Sequence, residues 1–300
     1  MTIGNSTDKS PEFLGVIATL MVITQSAIVI TGAAVRLTGS GLGCSTWPEC
    51  TPGSYTPTAD QPEAPLHAWI EFGNRLLTFL LLLNALVLIA TILKRNRSLL
   101  KLGSIQILGI IAQALLGGIT VLTGLNPATV AGHFMLSILL IAAATSLRAR
   151  IFRNSAEVLQ LKTLTKRLIR IMVILTFIVL TAGTIVTGSG PHAGDATAER
   201  FPFDARTVSW IHADLVIALF GVAISLLIAI SVGESEPVKE LLGRRVRIFL
   251  VAAIAQGGIG YLQYFTGLPE LVVALHILGS VLVWLAAWNL AVTGRVRIIR

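Results

Sequence analysis

The sequence predicts an all-α integral membrane protein with eight transmembrane helices arranged as two repeated four-helix bundles. Three observations lead there. Of the 300 residues, 54% are hydrophobic and 13% charged, with a mean hydropathy of +0.81, a balance that a water-soluble domain of this size could not hide. Apolar runs approaching the roughly 20 residues that span a bilayer as helix recur eight times. One segment also occurs twice: Gln113-Ala-Leu-Leu-Gly-Gly-Ile-Thr-Val-Leu-Thr-Gly-Leu runs on to His133, and Gln256-Gly-Gly-Ile-Gly-Tyr-Leu-Gln-Tyr-Phe-Thr-Gly-Leu runs on to His276. Gln, Thr-Gly-Leu and His thus recur at one spacing of 143 residues.

Span 1 covers about 14 to 36 and leads into a polar loop, 37 to 66, holding both cysteines in Gly43-Cys-Ser-Thr-Trp-Pro-Glu-Cys50. Span 2 runs over 68 to 93 and span 3 over 102 to 123. A turn of only a few residues then leads to span 4, over 128 to 147. The second half repeats the order: spans 5 and 6 over 168 to 187 and 207 to 231, spans 7 and 8 over 248 to 266 and 270 to 293. Thr38-Gly-Ser-Gly41 matches Thr187-Gly-Ser-Gly190, and Trp69-Ile70 before Asn74 resembles Trp210-Ile211 before His212. The halves are read as residues 1–150 and 151–300.

The net charge of +8 does not point to nucleic acid, because the basic residues sit in alternate loops. Lys94, Arg95, Arg97 and Lys101 lie between spans 2 and 3. Arg148, Arg150, Arg153, Lys162, Lys166, Arg167 and Arg170 lie between spans 4 and 5, and Lys239, Arg244, Arg245 and Arg247 between 6 and 7. Arg295, Arg297 and Arg300 close the chain. The positive-inside rule makes those loops cytoplasmic and places both termini inside. The start, Met1-Thr-Ile-Gly-Asn-Ser, carries no basic n-region and no Arg-rich amphipathic stretch, so span 1 reads as a retained helix of a bacterial plasma membrane. Cys44 and Cys50 then face the oxidising side, which lets them pair.

His133, His212, His276 and Asn74 each lie about five or six residues in from the outer end of a span, roughly 8 to 10 Å below the outer surface at 1.5 Å per residue. A lone membrane histidine is often a packing residue. Three at one depth, two of them related by the repeat, point to a metal, and neutral imidazole is a common axial ligand of haem iron. His212 and His276 would clamp an iron from both faces, whereas His133 stands opposite Asn74, and an amide is a poor iron ligand. Gly117, Gly118, Gly257, Gly258 and Gly260 would give a flat macrocycle room or serve close helix packing. Glu71 is one turn before Asn74, with Ser209 at the corresponding place in the other half. Arg75 would pair with it. Arg36, Arg75, Arg200 and Arg206 are the outer cations, able to neutralise haem propionates, with interfacial snorkelling the other reading of Arg200 and Arg206. His67 reads as interfacial, His192 as a loop residue, and Gln113 and Gln256 as bridges between helices.

These residues resemble the haem A synthase family over nearly the whole chain. The resemblance rests on the Thr-Gly-Ser-Gly-Leu-Gly-Cys loop with Trp-Pro-Glu-Cys50, on Glu71-Phe-Gly-Asn-Arg75, and on single histidines in spans 4, 6 and 8. It implies an oxidoreductase that converts haem O to haem A by oxidising a ring methyl to a formyl group, for terminal oxidases. It further implies haem b ligated by His212 and His276, substrate haem O beside His133, Asn74 and Arg75, and Glu71 as the catalytic acid. The implied partners are a prenylating enzyme that supplies haem O and an electron donor, in membrane lipid and without nucleic acid. The family pattern commonly has His where this chain has Asn74. Other readings of the same residues are a di-haem electron-transfer protein or quinone-linked reductase, which needs neither Glu71 nor the cysteines, and a repeat-built transporter. A prenyltransferase would need paired aspartates, and Asp214 is the one aspartate within a span.

Overall fold

A computed structural model describes residues 10–152 and 161–293. The readings of the first six residues and of Arg153, Arg295, Arg297 and Arg300 lie outside the described residues. Eight helices follow in order: α1 (Ser10–Leu37), α2 (Pro65–Arg95), α3 (Leu100–Leu122), α4 (Pro127–Ile151), α5 (Thr163–Ser189), α6 (Ala205–Gly233), α7 (Glu236–Phe265) and α8 (Glu270–Thr293). Each is long and apolar enough to cross a membrane. Among the described residues extended pairing is confined to one isolated bridge, Thr51 to Ser54.

Helices begin where local chemistry satisfies their first N–H groups or makes one unnecessary. Proline stands at the start of α2, α4 and α7, where its missing N–H costs nothing. Asn126 accepts from the Ala128 N–H to cap α4, and Asp204 accepts from the Thr207 N–H to cap α6. The repeated Thr-Gly-Leu is the stop signal for α3 and α7. Gly124 and Leu125 both take positive φ, 62° and 59°, as do Gly267 and Leu268, 78° and 61°. The Leu125 N–H reaches back to the Thr120 carbonyl at 2.9 Å and the Leu268 N–H to Gln263 at 2.8 Å. Each closes the last helical turn from a left-handed residue pair. Leucine is strained in that region. Leu125 is held there by its buried side chain, which fills the space beside Gly41 and Gly194.

The helices outrun the apolar windows at their basic ends. Lys239, Arg244, Arg245 and Arg247 are part of α7, and Arg148 and Arg150 close α4, rather than standing in loops. Hydropathy stops at the first charge, whereas the backbone continues helical and lets long side chains reach water from inside a helix end.

Contacts run in two cycles. In the first half α1 packs on α2 and α4, and α3 joins α2 to α4. In the second α5 packs on α6 and α8, and α7 joins α6 to α8. The cycles meet through α4 against α5 and α8, and through α1 against α8. The seam is apolar, built from Val29, Ile138, Ile141, Leu180, Val281 and Trp284. Fully buried Trp284 donates from its indole N–H to the Ile138 carbonyl at 2.8 Å, and Trp288 to the Ser146 hydroxyl at 2.8 Å.

Candidate functional site

The three span histidines share one kind of seat. A Cβ on Gly117 of α3 would stand 3.1 Å from His133 Cε1, one on Gly260 of α7 3.1 Å from His276 Cε1, and one on Gly183 of α5 3.3 Å from His212 Cε1. Each imidazole on an even-numbered helix therefore lies edge-on against a bare stretch of the odd-numbered neighbour. All three rings are half-buried, and the Nδ1 of each is shielded and without a hydrogen-bond partner.

The glutamines complete the seat in both halves. Gln113 Nε2 donates to the His133 carbonyl at 3.1 Å and to the Ser137 hydroxyl, and Gln256 Nε2 donates to the His276 carbonyl at 2.8 Å. Gln, Gly one turn later and His on the next helix are thus one device: the amide fixes the histidine's backbone and the glycine gives its ring room. Of the other glycines singled out from sequence, Gly257 and Gly258 face nothing within 4 Å, and Gly118 is covered by the indole of Trp47.

Glu71, Arg75 and the cysteine loop come together. Cys44 and Cys50 are bonded as a disulfide and fully buried. Glu71, itself 5% exposed, accepts at Oε2 from the Cys44 N–H at 2.6 Å and at Oε1 from Arg75 Nε and Nη2 at 3.1 and 2.6 Å. The same guanidinium donates to the carbonyls of Cys44, Thr46 and Glu49 at 3.0 to 3.1 Å. A buried carboxylate is tolerable when its charge and lone pairs are met in this way. The pair does more than neutralise itself, since it clamps the disulfide loop onto α2. Sequence spacing points to the pair but not to its hold on a loop 26 to 31 residues away. The loop in turn lays Trp47 over Gly118 of α3, next to the glycine that faces His133.

Asn74 is turned toward α1. Its Oδ1 accepts from the Thr31 hydroxyl at 2.7 Å, and its amide lies beside Gly32. Among the described residues no hydrogen bond joins it to His133. His67 Nδ1 lies 3.1 Å from both the Ser40 hydroxyl and the Gly39 carbonyl, at the N-terminal end of α2. His192 does have a partner: its Nε2 donates to the Leu268 carbonyl at 2.8 Å, tying the α5–α6 loop to the α7–α8 turn. Among the described residues no group of three or more His, Cys, Asp or Glu gathers around a point that could hold a bare metal ion. Single imidazoles in glycine-lined seats suit an iron that brings its own equatorial ligands.

Comparison with known proteins gives the same direction. A family model, COX15-CtaA, described as cytochrome oxidase assembly protein, matches residues 15–288. A heme A synthase of Listeria welshimeri serovar 6b is 36% identical over 145 residues, 47% of this chain and 46% of the relative. One of Lysinibacillus sphaericus (strain C3-41) is 36% identical over 129 residues, 42% of this chain and 40% of the relative. One of Staphylococcus aureus (strain JH9) is 30% identical over 186 residues, 59% of each chain. The similarity to the Listeria and Lysinibacillus relatives spans about half of their length.

Proposed function

The chain belongs to the COX15-CtaA family of cytochrome oxidase assembly proteins, and from that membership we propose that it is a haem A synthase, oxidising a methyl group of haem O to the formyl group of haem A. The observation that carries the reading is the imidazole seat: three single histidines, each against a helix glycine, each with a ring nitrogen unmet inside the chain. In this reading the two contact cycles are two copies of one unit, residues 1–150 and 151–300. The protein sits in a bacterial plasma membrane with both termini in the cytoplasm and the seats toward the outer face.

His212 and His276 would hold the iron of a resident haem b in the second half, each offering a ring with an unmet Nδ1 against a helix glycine. When bound there, haem b supplies a one-electron relay. In the first half His133 takes the iron of substrate haem O. Asn74, engaged by Thr31, offers no second imidazole, so the substrate iron has one protein ligand on that side. Trp47, laid on α3 by the disulfide loop, shields this seat from the outer water.

Turning methyl into formyl removes four electrons from the carbon and, with the oxygen counted as water, releases four protons. The first half therefore needs an electron sink and a proton path. Glu71 is the carboxylate placed to act as the acid there, and it holds its charge through Arg75 until a proton arrives. Haem O comes from a prenylating enzyme; the four electrons go to an external oxidant, and where that oxidant is dioxygen a separate electron donor supplies the rest of its reduction.

Pigment analysis of membranes producing the chain together with a haem O supply tests the reading. Haem A formed by the wild type and lost in His133→Ala supports it; unchanged haem O in the wild type defeats it. The full engagement of Glu71 within the chain favours a second reading, a di-haem electron carrier in which this carboxylate only holds a loop. Glu71→Gln separates the two: a carrier keeps both its pigment and its electron transfer, whereas a synthase keeps its pigment and accumulates haem O.

A further inference from the structure

Four arginines stand at the outer ends of the helices, and three are spent inside the chain. Arg75 clamps Glu71 and the disulfide loop. Arg200 donates to the carbonyls of Gly190, Pro191 and Ala198 and so shapes its own loop. Arg206 lies over the Trp210 ring, 4.7 Å from its centroid.

Arg36, in the last turn of α1, is different. Its Nη2 donates to the Thr187 carbonyl at 2.9 Å, while its Nε is shielded from water and has no hydrogen-bond partner. Arg200 is held to the same stretch of chain, its Nε donating to the Gly190 carbonyl three residues beyond Thr187 at 2.8 Å. Among the described residues the ion pairs are Glu71 with Arg75 and Glu236 with Lys239, so no carboxylate answers either charge. Guanidinium does not shed its proton inside a protein. A shielded cation beside a second cation is costly unless an anion joins them.

The position narrows what that anion is. Thr187, which holds Arg36, is one turn outward of Gly183 on α5, and Gly183 is the glycine against His212. The Gly41 N–H donates to the Gly194 carbonyl at 2.9 Å, which fixes the loop after α1 against the loop after α5. Arg36 is thereby carried across the seam from the first half to the outer rim of the second-half seat. A porphyrin ligated below that rim carries two carboxylates on flexible arms.

We propose that Arg36, backed by Arg200, is an anion seat that receives a propionate of the porphyrin held by His212 and His276. This rests on the reading of those two histidines given above. The seat makes a residue of the first half a direct holder of the second half's cofactor. It also accounts for a charge that nothing inside the chain neutralises.

The test compares wild type, Arg36→Gln and Arg36→Lys in the purified, haem-loaded chain by redox titration of the His212–His276 haem. Taking a cation away from a propionate favours the ferric state. The midpoint potential is therefore expected to fall in Arg36→Gln and to stay near the wild type in Arg36→Lys, with His212 and His276 still ligating. A second arm loads chain produced without haem with haem b dimethyl ester, whose propionates are blocked. Wild type and Arg36→Gln are then expected to titrate alike. An Arg36→Gln protein with full pigment and an unmoved potential overturns the proposal. A difference that persists with the ester and responds to added inorganic phosphate also overturns it, because the occupant is then a free anion or a lipid headgroup. If Arg36→Gln fails to fold, the lysine variant and the ester arm decide: a wild-type potential unaltered by esterification sinks the idea. A wild type whose haem spectrum does not change in His212→Ala or His276→Ala would instead remove the function reading itself.

Discussion

Arg75 uses every nitrogen of its guanidinium, and two different structures hang on it: the carboxylate of Glu71 and three carbonyls of the disulfide loop. Glu71→Ala would strand this cation and leave the Cys44 N–H without its acceptor. Removing one partner of a buried pair typically costs about 3 to 5 kcal/mol. The low end, ~3 kcal/mol, is expected here because the Arg75 side chain keeps 21% exposure. Thermal unfolding in detergent should show it, with Glu71→Gln losing less than half as much because the amide still accepts. Unfolding that does not move in Glu71→Ala would mean that the clamp carries no load. The i, i+4 spacing of Glu71 and Arg75 makes the pair legible in the sequence. What the pair grips is not legible, because the bonds run to main-chain groups in a loop whose path no side-chain pattern encodes. Asn74 shows the same limit: that an amide stands where the other half has His212 can be read from the chain, whereas its bond to Thr31 depends on how α1 is rotated.

Helices in lipid carry little periodic signal, since both faces are apolar. The sequence therefore places α1 to α8 along the chain better than it assigns their faces. The seat glycines show where the repeat compensates. Gly117 with His133 and Gly260 with His276 keep a constant separation, so the two seats are visible as a pair, while Gly183 against His212 comes from a different helix spacing and is seen only in three dimensions. Gly117→Ala and Gly260→Ala should each displace an imidazole by a few tenths of an ångström, the sense of a Cβ at 3.1 Å from Cε1. Lower haem occupancy or a changed absorption band at the affected site is the expected result. Gly257→Ala, with nothing within 4 Å, should leave the spectrum alone, and equal effects at all three positions would defeat the assignment. At the start of α6, hydrogen bonds from the Thr207 hydroxyl and N–H hold the Asp204 carboxyl below its ordinary pKa. The cap's contribution is therefore complete above the unfolded value of about 3.9 and disappears as pH falls through the lower folded value. Asp204→Ala should cost some thermal stability at neutral pH and narrow its gap to wild type in acid.

Across the whole molecule, the two cycles are joined by a seam with an indole at its middle. Trp284→Ala would remove a fully buried side chain and leave the Ile138 carbonyl without its indole donor. A loss of about 3 to 5 kcal/mol is the usual range for such a truncation. Denaturant unfolding monitored separately in each half, for example through haem absorption and through Trp47 fluorescence, should show the two signals parting company in this variant. Two coincident transitions at the wild-type midpoint would argue against the seam as the joint. The number of spans could be read from the chain. The choice of α4, α8, α1 and α5 as the joining helices could not, because a seam-facing leucine and a lipid-facing leucine are the same letter. A final consequence concerns the guanidinium that ties Glu71 to the loop bearing Trp47. Any event that neutralises the carboxylate removes one of the two anchors on a single tether. If Glu71 is the acid proposed above, the loop that lays Trp47 on Gly118 would then slacken when the carboxyl is protonated and draw tight when it is ionised, so that proton traffic and the admission of a bulky guest would share one latch.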